Sequence, residues 1–275
     1  MIIGIPKEIM PGEARVAAMP ETVKKFVADG ATVLVEKGAG IGSFFLDDEY
    51  KAAGAQILDS AKEVFEKSEL ILKVKEPLFN ETYGVHEVDL MHDKQYLITF
   101  IHPASPVNHE MVTKLAEKGV ISLTLDGVPR ISRAQNMDAL TSMSTCAGYK
   151  GILLAADRLP KFIPPLFTAV GSVKPAKALV IGVGVGGLQA LATAKRLGAI
   201  THAIDIRPAA MEQAQSLGAK VIETGVPAEL AIAAGGYANN LPEEWLEKER
   251  NILREVIKDM DIVFCSALVP GKVAP

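Results

Sequence analysis

The stretch Lys177-Ala-Leu-Val-Ile-Gly-Val-Gly-Val-Gly-Gly-Leu188 combines residue types that can hold a phosphate without a basic side chain. Positions 178–181 are four consecutive apolar residues, the pattern of a short strand buried on both faces of a parallel sheet. Gly182, Gly184 and Gly187 follow, and Leu188, Leu191, Ala192, Ala194 and Leu197 then recur at helical spacing up to Gly198. In such a strand–turn–helix, Gly182 permits the turn and Gly184 lets the backbone approach a pyrophosphate. Gly187 lets the helix pack closely on the sheet. Val185 and Gly186 open the helix, so their N–H groups and the positive end of its dipole face the anion.

A second strand, 200–206, carries Asp205, eighteen residues beyond Gly187, against the roughly 20 expected for the acid that accepts both ribose hydroxyls of an adenosine. A carboxylate there repels a 2′-phosphate and selects NAD. Arg207 argues the other way, because a nearby arginine can hold that phosphate. The bland alternative is that the glycines serve only a turn and Asp205 only a helix cap.

The elements that must carry this motif follow from the rest of the chain. Its 275 residues suit two domains, with 49% apolar and 23% charged residues, as in ordinary globular proteins. A net charge of −4 argues against nucleic acid or an anionic membrane as partner. No apolar run reaches membrane-helix length, and Met1 leads straight into an apolar strand without a signal peptide, so the expectation is a cytoplasmic chain. Cys146 and Cys265 lack disulfide or metal-ligand spacing and are expected to be buried; no metal site is expected.

The first half alternates strand-like runs at 2–6, 31–37, 69–75, 96–101 and 120–125 with helical patterns at 20–29, 47–54, 60–68 and 109–118. That rhythm predicts a parallel sheet with crossover helices. Residues 77–95 are polar and are expected to form a surface excursion. A helix over 138–158 is expected to link the domains before Pro160, Pro164 and Pro165 break it. After Asp205 the pattern predicts a helix at 208–217, a strand at 219–223, a loop over 225–241, a charged helix at 242–259 and a strand at 261–268. The fold class is therefore α/β, with an N-terminal α/β domain over 1–132, a linker helix region over 133–165 and a Rossmann dinucleotide-binding domain over 166–275. A six-stranded dinucleotide fold would need roughly 60 to 80 further residues, so this second domain is expected to be C-terminally incomplete.

Several stretches carry a family likeness. Ile3-Gly-Ile-Pro-Lys-Glu8 with Arg15, Lys73-Val-Lys-Glu-Pro77 and Arg130-Ile-Ser-Arg-Ala-Gln-Asn-Met-Asp138, together with the glycine motif, resemble the superfamily shared by alanine dehydrogenase and the NAD(H)-binding first domain of proton-translocating NAD(P) transhydrogenase. The resemblance covers essentially the whole chain and implies two Rossmann-like domains with a cofactor cleft between them. Arg133-Ala-Gln-Asn-Met-Asp-Ala-Leu140, Asp205-Ile-Arg-Pro-Ala-Ala210, Gly235-Gly-Tyr-Ala238 and Ala267-Leu-Val-Pro-Gly-Lys-Val-Ala-Pro275 resemble the transhydrogenase branch. That likeness implies hydride transfer from NADH to NADP⁺ held on a separate domain. Arg130, Asp138 and Thr141 would orient the nicotinamide and its carboxamide, and Gln135 would reach the partner's NADP(H). Thr141 departs from the usual serine but keeps the hydroxyl. Asp205, Ile206, Arg207, Ala267 and Leu268 would contact NAD(H), and Tyr237 would close over it on a mobile loop. The branch further implies a homodimer, peripheral to the cell membrane through a partner carrying NADP(H) and the proton path.

Two matches point to the other branch. Lys75 and His102, in Phe-Ile-His-Pro, match positions where alanine dehydrogenase holds a substrate carboxylate and its acid/base. Arg15 is compatible with both branches. The bland readings are an Arg130–Asp138 ion pair, a strand-end His102 satisfied by a backbone carbonyl and a solvated Lys75. A third possibility, a non-catalytic NAD-binding regulatory module, also fits the expected incompleteness.

Overall fold

Short apolar runs become the strands of two parallel sheets in the computed structural model, which describes residues 1–129, 132–232 and 238–267. Two units divide the chain, Met1–Pro129 and Arg130–Pro275.

Unit 1 runs β1 (Ile2–Ile5), α1 (Pro20–Ala28), β2 (Thr32–Glu36), α2 (Asp47–Ala52), β3 (Gln56–Leu58), α3 (Ala61–Lys67), β4 (Leu70–Leu72), β5 (Phe79–Asn80), β6 (Val85–His86), β7 (Tyr96–Thr99), α4 (His109–Glu117) and β8 (Ile121–Thr124). Six strands form one parallel sheet in the order β3-β2-β1-β4-β7-β8. The strands are apolar because helices cover them: Ile5, Val35, Ile71 and Leu97 are buried. Helix α1 starts at Pro20, whose missing N–H costs nothing in a first turn, and turns Val23 into the core. Helix α3 is capped by Ser60, whose hydroxyl accepts from the Glu63 N–H at 3.3 Å. Its inner residues Val64 and Phe65 are fully buried, each contributing about 1.5–3 kcal/mol.

Residues 77–95 form the expected surface excursion only in part. Strands β5 and β6 pair as a small antiparallel hairpin, and the chain then turns Glu87, Val88, Met91 and Gln95 inward. One charged residue of this stretch, Glu87, belongs to an internal ion cluster. Lys73 Nζ lies 3.1 Å from Glu87 and 3.2 Å from Glu8, with all three side chains at most 2% exposed. The remaining carboxylate valences are used by backbone: Glu8 accepts from Val74 N–H at 2.6 Å and Lys75 N–H at 3.3 Å, and Glu87 from Leu78 N–H at 2.9 Å.

Unit 2 runs α5 (Ala139–Arg158), β9 (Leu166–Thr168), β10 (Gly171–Val173), β11 (Lys177–Ile181), α6 (Val185–Arg196), β12 (Ile200–Ile204), α7 (Pro208–Ser216), β13 (Lys220–Val221), α8 (Ala228–Ala231), α9 (Glu243–Ile257) and β14 (Ile262–Cys265). Its parallel sheet has the order β13-β12-β11-β14, the 3-2-1-4 start of a dinucleotide fold. The proline-rich run after α5 holds the antiparallel β9–β10 hairpin, which the sequence did not announce; Phe167 and Val170 on it are exposed.

Helix α5 packs along α6 through small residues. A Cβ on Gly148 would overlap the Gly186 carbonyl oxygen and stand 3.1 Å from the Ala190 nitrogen. This close crossing brings the α5 backbone beside the glycine turn. Both cysteines are exposed rather than buried. Cys146 is on a solvent-facing stripe of α5, and Cys265 shares the outward side of β14 with the exposed Val263.

Candidate functional site

The carboxyl ends of β11, β12 and β14 open onto a cavity of about 280 Å³ within unit 2. A doubly wound sheet places ligand sites at such an edge, where crossovers diverge to opposite faces. Gly182, Gly184, Val185 and Gly186 line its floor, Asp205, Ile206 and Arg207 one side, and Ala267 the end of β14. Gly187 does not reach it; a Cβ there would overlap the Gly182 carbonyl oxygen.

Local physics makes the floor. Gly182 has φ +85°, and a Cβ on it would fall 2.6 Å from Ala267 Cα, so only glycine fits without displacing β14. Its carbonyl is held by the Ser266 hydroxyl, which donates at 2.7 Å. Gly184 is different: its backbone is extended, φ −82° and ψ −163°, and a Cβ would meet nothing within 4 Å. The missing side chain there keeps space open in front of the first turn of α6, whose N-cap has no side-chain hydrogen bond. A twelve-residue helix therefore presents unsatisfied N–H groups and its positive end to an unobstructed cradle. A pyrophosphate fits that cradle in shape and in charge.

Asp205 projects from the end of β12 with its side chain 5% exposed. One oxygen accepts from Val183 N–H at 2.7 Å and from Arg207 Nη2 at 2.9 Å; the other accepts from Arg207 N–H at 2.8 Å and Nε at 3.0 Å. The hydrogen bond to Asp205 outweighs burial, which acts the other way, and holds the Arg207 guanidinium above its ordinary pKa. Asp205 thus pairs with the arginine that a 2′-phosphate would seek on this strand end. Across the cavity, Leu246, Glu249 and Leu253 of α9 form a wall. Burial, aided by the charge of Asp205, pushes the Glu249 carboxyl above the usual range.

Asp138 caps α5: it accepts from Thr141 N–H at 3.0 Å and from the Thr141 hydroxyl at 2.6 Å. Its own N–H donates to the Gln135 carbonyl at 3.2 Å. One turn further, Ser144 and Ala147 line the cavity. Arg130, Tyr237 and Leu268 lie outside the described residues, as does any Arg130–Asp138 pair. The α9 wall and Ser144 were missed from sequence; the apolar spacing of Leu246 and Leu253 was the available signal.

Unit 1 gathers its own cluster. His102 Nδ1 is 2.6 Å from Asp126, and Nε2 is 3.5 Å from Lys75 Nζ. Lys75 also forms an ion pair with Glu76 at 3.1 Å, without hydrogen-bond alignment. Arg15 donates to both Glu13 oxygens, at 2.8 and 2.6 Å, and that hydrogen bonding holds the Glu13 carboxyl below its ordinary range. The His102 ring is thus met by a carboxylate, not by a backbone carbonyl. Among the described residues no group of three or more His, Cys, Asp or Glu could hold a metal ion. Nor is any described helix long and apolar enough to cross a membrane.

These features define a two-unit α/β protein with a Rossmann-type cradle in its second unit. Residues 4–147 match the alanine dehydrogenase/PNT N-terminal domain and residues 151–275 its C-terminal domain, so the chain belongs to the alanine dehydrogenase/PNT family. It is 44% identical over its whole length to an NAD(P) transhydrogenase alpha subunit chain of Rhodospirillum rubrum, covering 71% of that protein. It is 32% identical to alanine dehydrogenase of Bacillus subtilis, covering 65% of it. The solved structure of transhydrogenase from Sinorhizobium meliloti superposes with a TM-score of 0.84 at 38% identity, over 100% of this chain and 72% of that one.

Proposed function

We propose that this chain is the NAD(H)-binding component of a proton-translocating NAD(P) transhydrogenase, working with NADP(H)-binding and membrane domains on a partner. The observation that carries the reading is the open phosphate cradle at Gly184 and the α6 N-terminus beside Asp205, in a chain similar along its full length to transhydrogenase alpha subunits. Bound NADH supplies the hydride. The chain's own residues hold and orient it. Helix α6 takes the pyrophosphate and Asp205 with Ile206 and Arg207 the adenosine ribose, and Ala267 and Leu268 also contact NAD(H). Arg130, Asp138 and Thr141 orient the ring, Gln135 reaches the partner's NADP(H), and Tyr237 closes the site against water. The reaction needs two reactants held at contact distance and little covalent chemistry from protein groups. A homodimer peripheral to the cell membrane belongs to the same reading.

Calorimetric titration tests the cofactor assignment. Asp205→Asn weakens the ribose contact and removes the negative charge that repels a 2′-phosphate, so NADH affinity falls about tenfold or more while NADPH affinity holds or rises. Equal losses for both nucleotides would remove Asp205 as the selector.

The geometry of unit 1 favours a second reading, NAD-dependent oxidation of a small L-amino acid. Arg15 and Lys75 would clamp its carboxylate. As a hydride leaves the α-carbon, the amino nitrogen loses a proton, and His102 Nε2, 3.5 Å from Lys75 Nζ, would receive it.

A further inference from the structure

We infer that Asp126 is a positioning residue for His102, fixing the ring as the Nδ1–H tautomer so that Nε2 faces Lys75 as a proton acceptor. The inference rests on the second reading above for its chemistry, but its geometry stands by itself. Asp126 sits in the turn after β8, 24 positions from His102, and no local pattern links the two.

Four observations support the role. First, an ionised carboxylate can only accept, so the 2.6 Å contact with Nδ1 requires the proton on that nitrogen. Second, an ammonium can only donate, so Lys75 Nζ at 3.5 Å requires a lone pair on Nε2. Both neighbours demand the same tautomer. Third, the other oxygen of Asp126 accepts from the backbone N–H groups of Ile101 at 3.1 Å and His102 at 2.8 Å, so one carboxylate holds ring and main chain together. Fourth, His102 has φ +49°, in the left-handed region that residues with a Cβ adopt uncommonly, and the Asp126 bonds to the Ile101 and His102 N–H groups hold the backbone at this point.

Other groups reinforce the arrangement. The Thr124 hydroxyl donates to Asp126, Asn108 Nδ2 donates to the Ile101 carbonyl at 2.9 Å, and Phe100 stacks on the imidazole with centroids 5.5 Å apart. Burial pushes the Asp126 carboxyl up, but the hydrogen bonds from Thr124 and His102 outweigh it and hold the group below its ordinary range. Asp126 is therefore ionised wherever a neutral imidazole could act.

The test is ¹⁵N NMR of the whole chain labelled at histidine, with the His102 signals assigned by their loss in His102→Gln. Wild type is expected to show protonated Nδ1 and unprotonated Nε2 at neutral pH. Asp126→Ala and the near-isosteric Asp126→Asn shift the ring towards the Nε2–H tautomer, with the amide spectrum otherwise native, and Asp126→Glu recovers the wild-type tautomer in part. Should Asp126→Ala fail to fold, Asp126→Asn decides. A wild-type ring protonated at Nε2, or a tautomer indifferent to both substitutions, overturns the inference. L-Alanine-dependent reduction of NAD⁺ separates it from the reading beneath it. If turnover occurs, Asp126→Asn lowers kcat about 100-fold with little change in KM. No turnover with the tautomer intact removes the amino-acid reading and leaves the positioning role supported.

Discussion

Gly184→Ala abolishes NADH binding at ordinary concentrations, weakening it at least ~100-fold, about 2.7 kcal/mol, while the fold survives. The two halves of this expectation have separate causes. Nothing in the protein lies within 4 Å of the added methyl, and the backbone there is extended, so no internal clash arises. The stability cost is that of replacing glycine at a helix N-cap, about 1 kcal/mol. The methyl does, however, occupy the space through which a pyrophosphate approaches the first N–H groups of α6. Gly182→Ala would not separate the effects, because its φ of +85° and the nearby Ala267 backbone mean that the added methyl strains the turn and displaces the end of β14 as well. Isothermal titration with NADH, beside a thermal melt, reads both quantities. Unchanged affinity in Gly184→Ala would mean that the phosphates bind elsewhere.

Lys73→Met destabilises unit 1 by about 3–5 kcal/mol at pH 8, the cost of stripping a buried ion cluster of its cation. Two fully buried carboxylates would then face one another with backbone donors alone. The pH dependence has a definite sign. In the wild type, burial raises the Glu87 carboxyl above its reference value of 4.5, although Lys73 and the Leu78 N–H oppose it. A carboxyl with a raised folded pKa is stabilised when protonated, so its contribution is present at low pH and is lost as pH rises through the folded value. Without Lys73 that rise is larger, and the deficit of the variant shrinks as pH falls towards 4.5. Lys73 itself is lowered by burial but raised more by Glu87 and Glu8, so its net contribution persists to alkaline pH and is lost only above its reference value of 10.5. Urea unfolding followed by circular dichroism measures the loss, and the fluorescence of the single tryptophan, Trp245, reports unit 2 separately. A loss below about 1 kcal/mol at pH 8 would show that water reaches the cluster.

The parallel sheets were legible because their strands are covered on both faces and so read as apolar runs: Ile2–Ile5, Thr32–Glu36 and Lys177–Ile181. The phosphate cradle was legible because its glycines and the start of α6 lie in one local run, whereas Ser266, which holds the Gly182 carbonyl, comes from 84 residues away. Polar residues that satisfy one another inside the protein were not. Glu87 and Gln95 look like surface residues until Lys73 and the Phe65 and Ser68 carbonyls are brought to them. Asp126 was hidden for the same reason, its partner being supplied by the next strand of the sheet. The α9 wall was half legible: periodicity marks Leu246 and Leu253 as one face, but only the fold turns that face onto the cavity.

Hydride transfer measures the central claim most directly. NADH and an NADP⁺ analogue are mixed with the complete protein and an added transhydrogenase NADP-binding domain, and reduction of the analogue is followed at its own absorbance band. Transfer that requires both proteins, and that Gly184→Ala removes, is the predicted result. No transfer under those conditions, with NAD⁺ instead reduced in the presence of L-alanine alone, would contradict the transhydrogenase reading and make Arg15, Lys75 and His102 the working site.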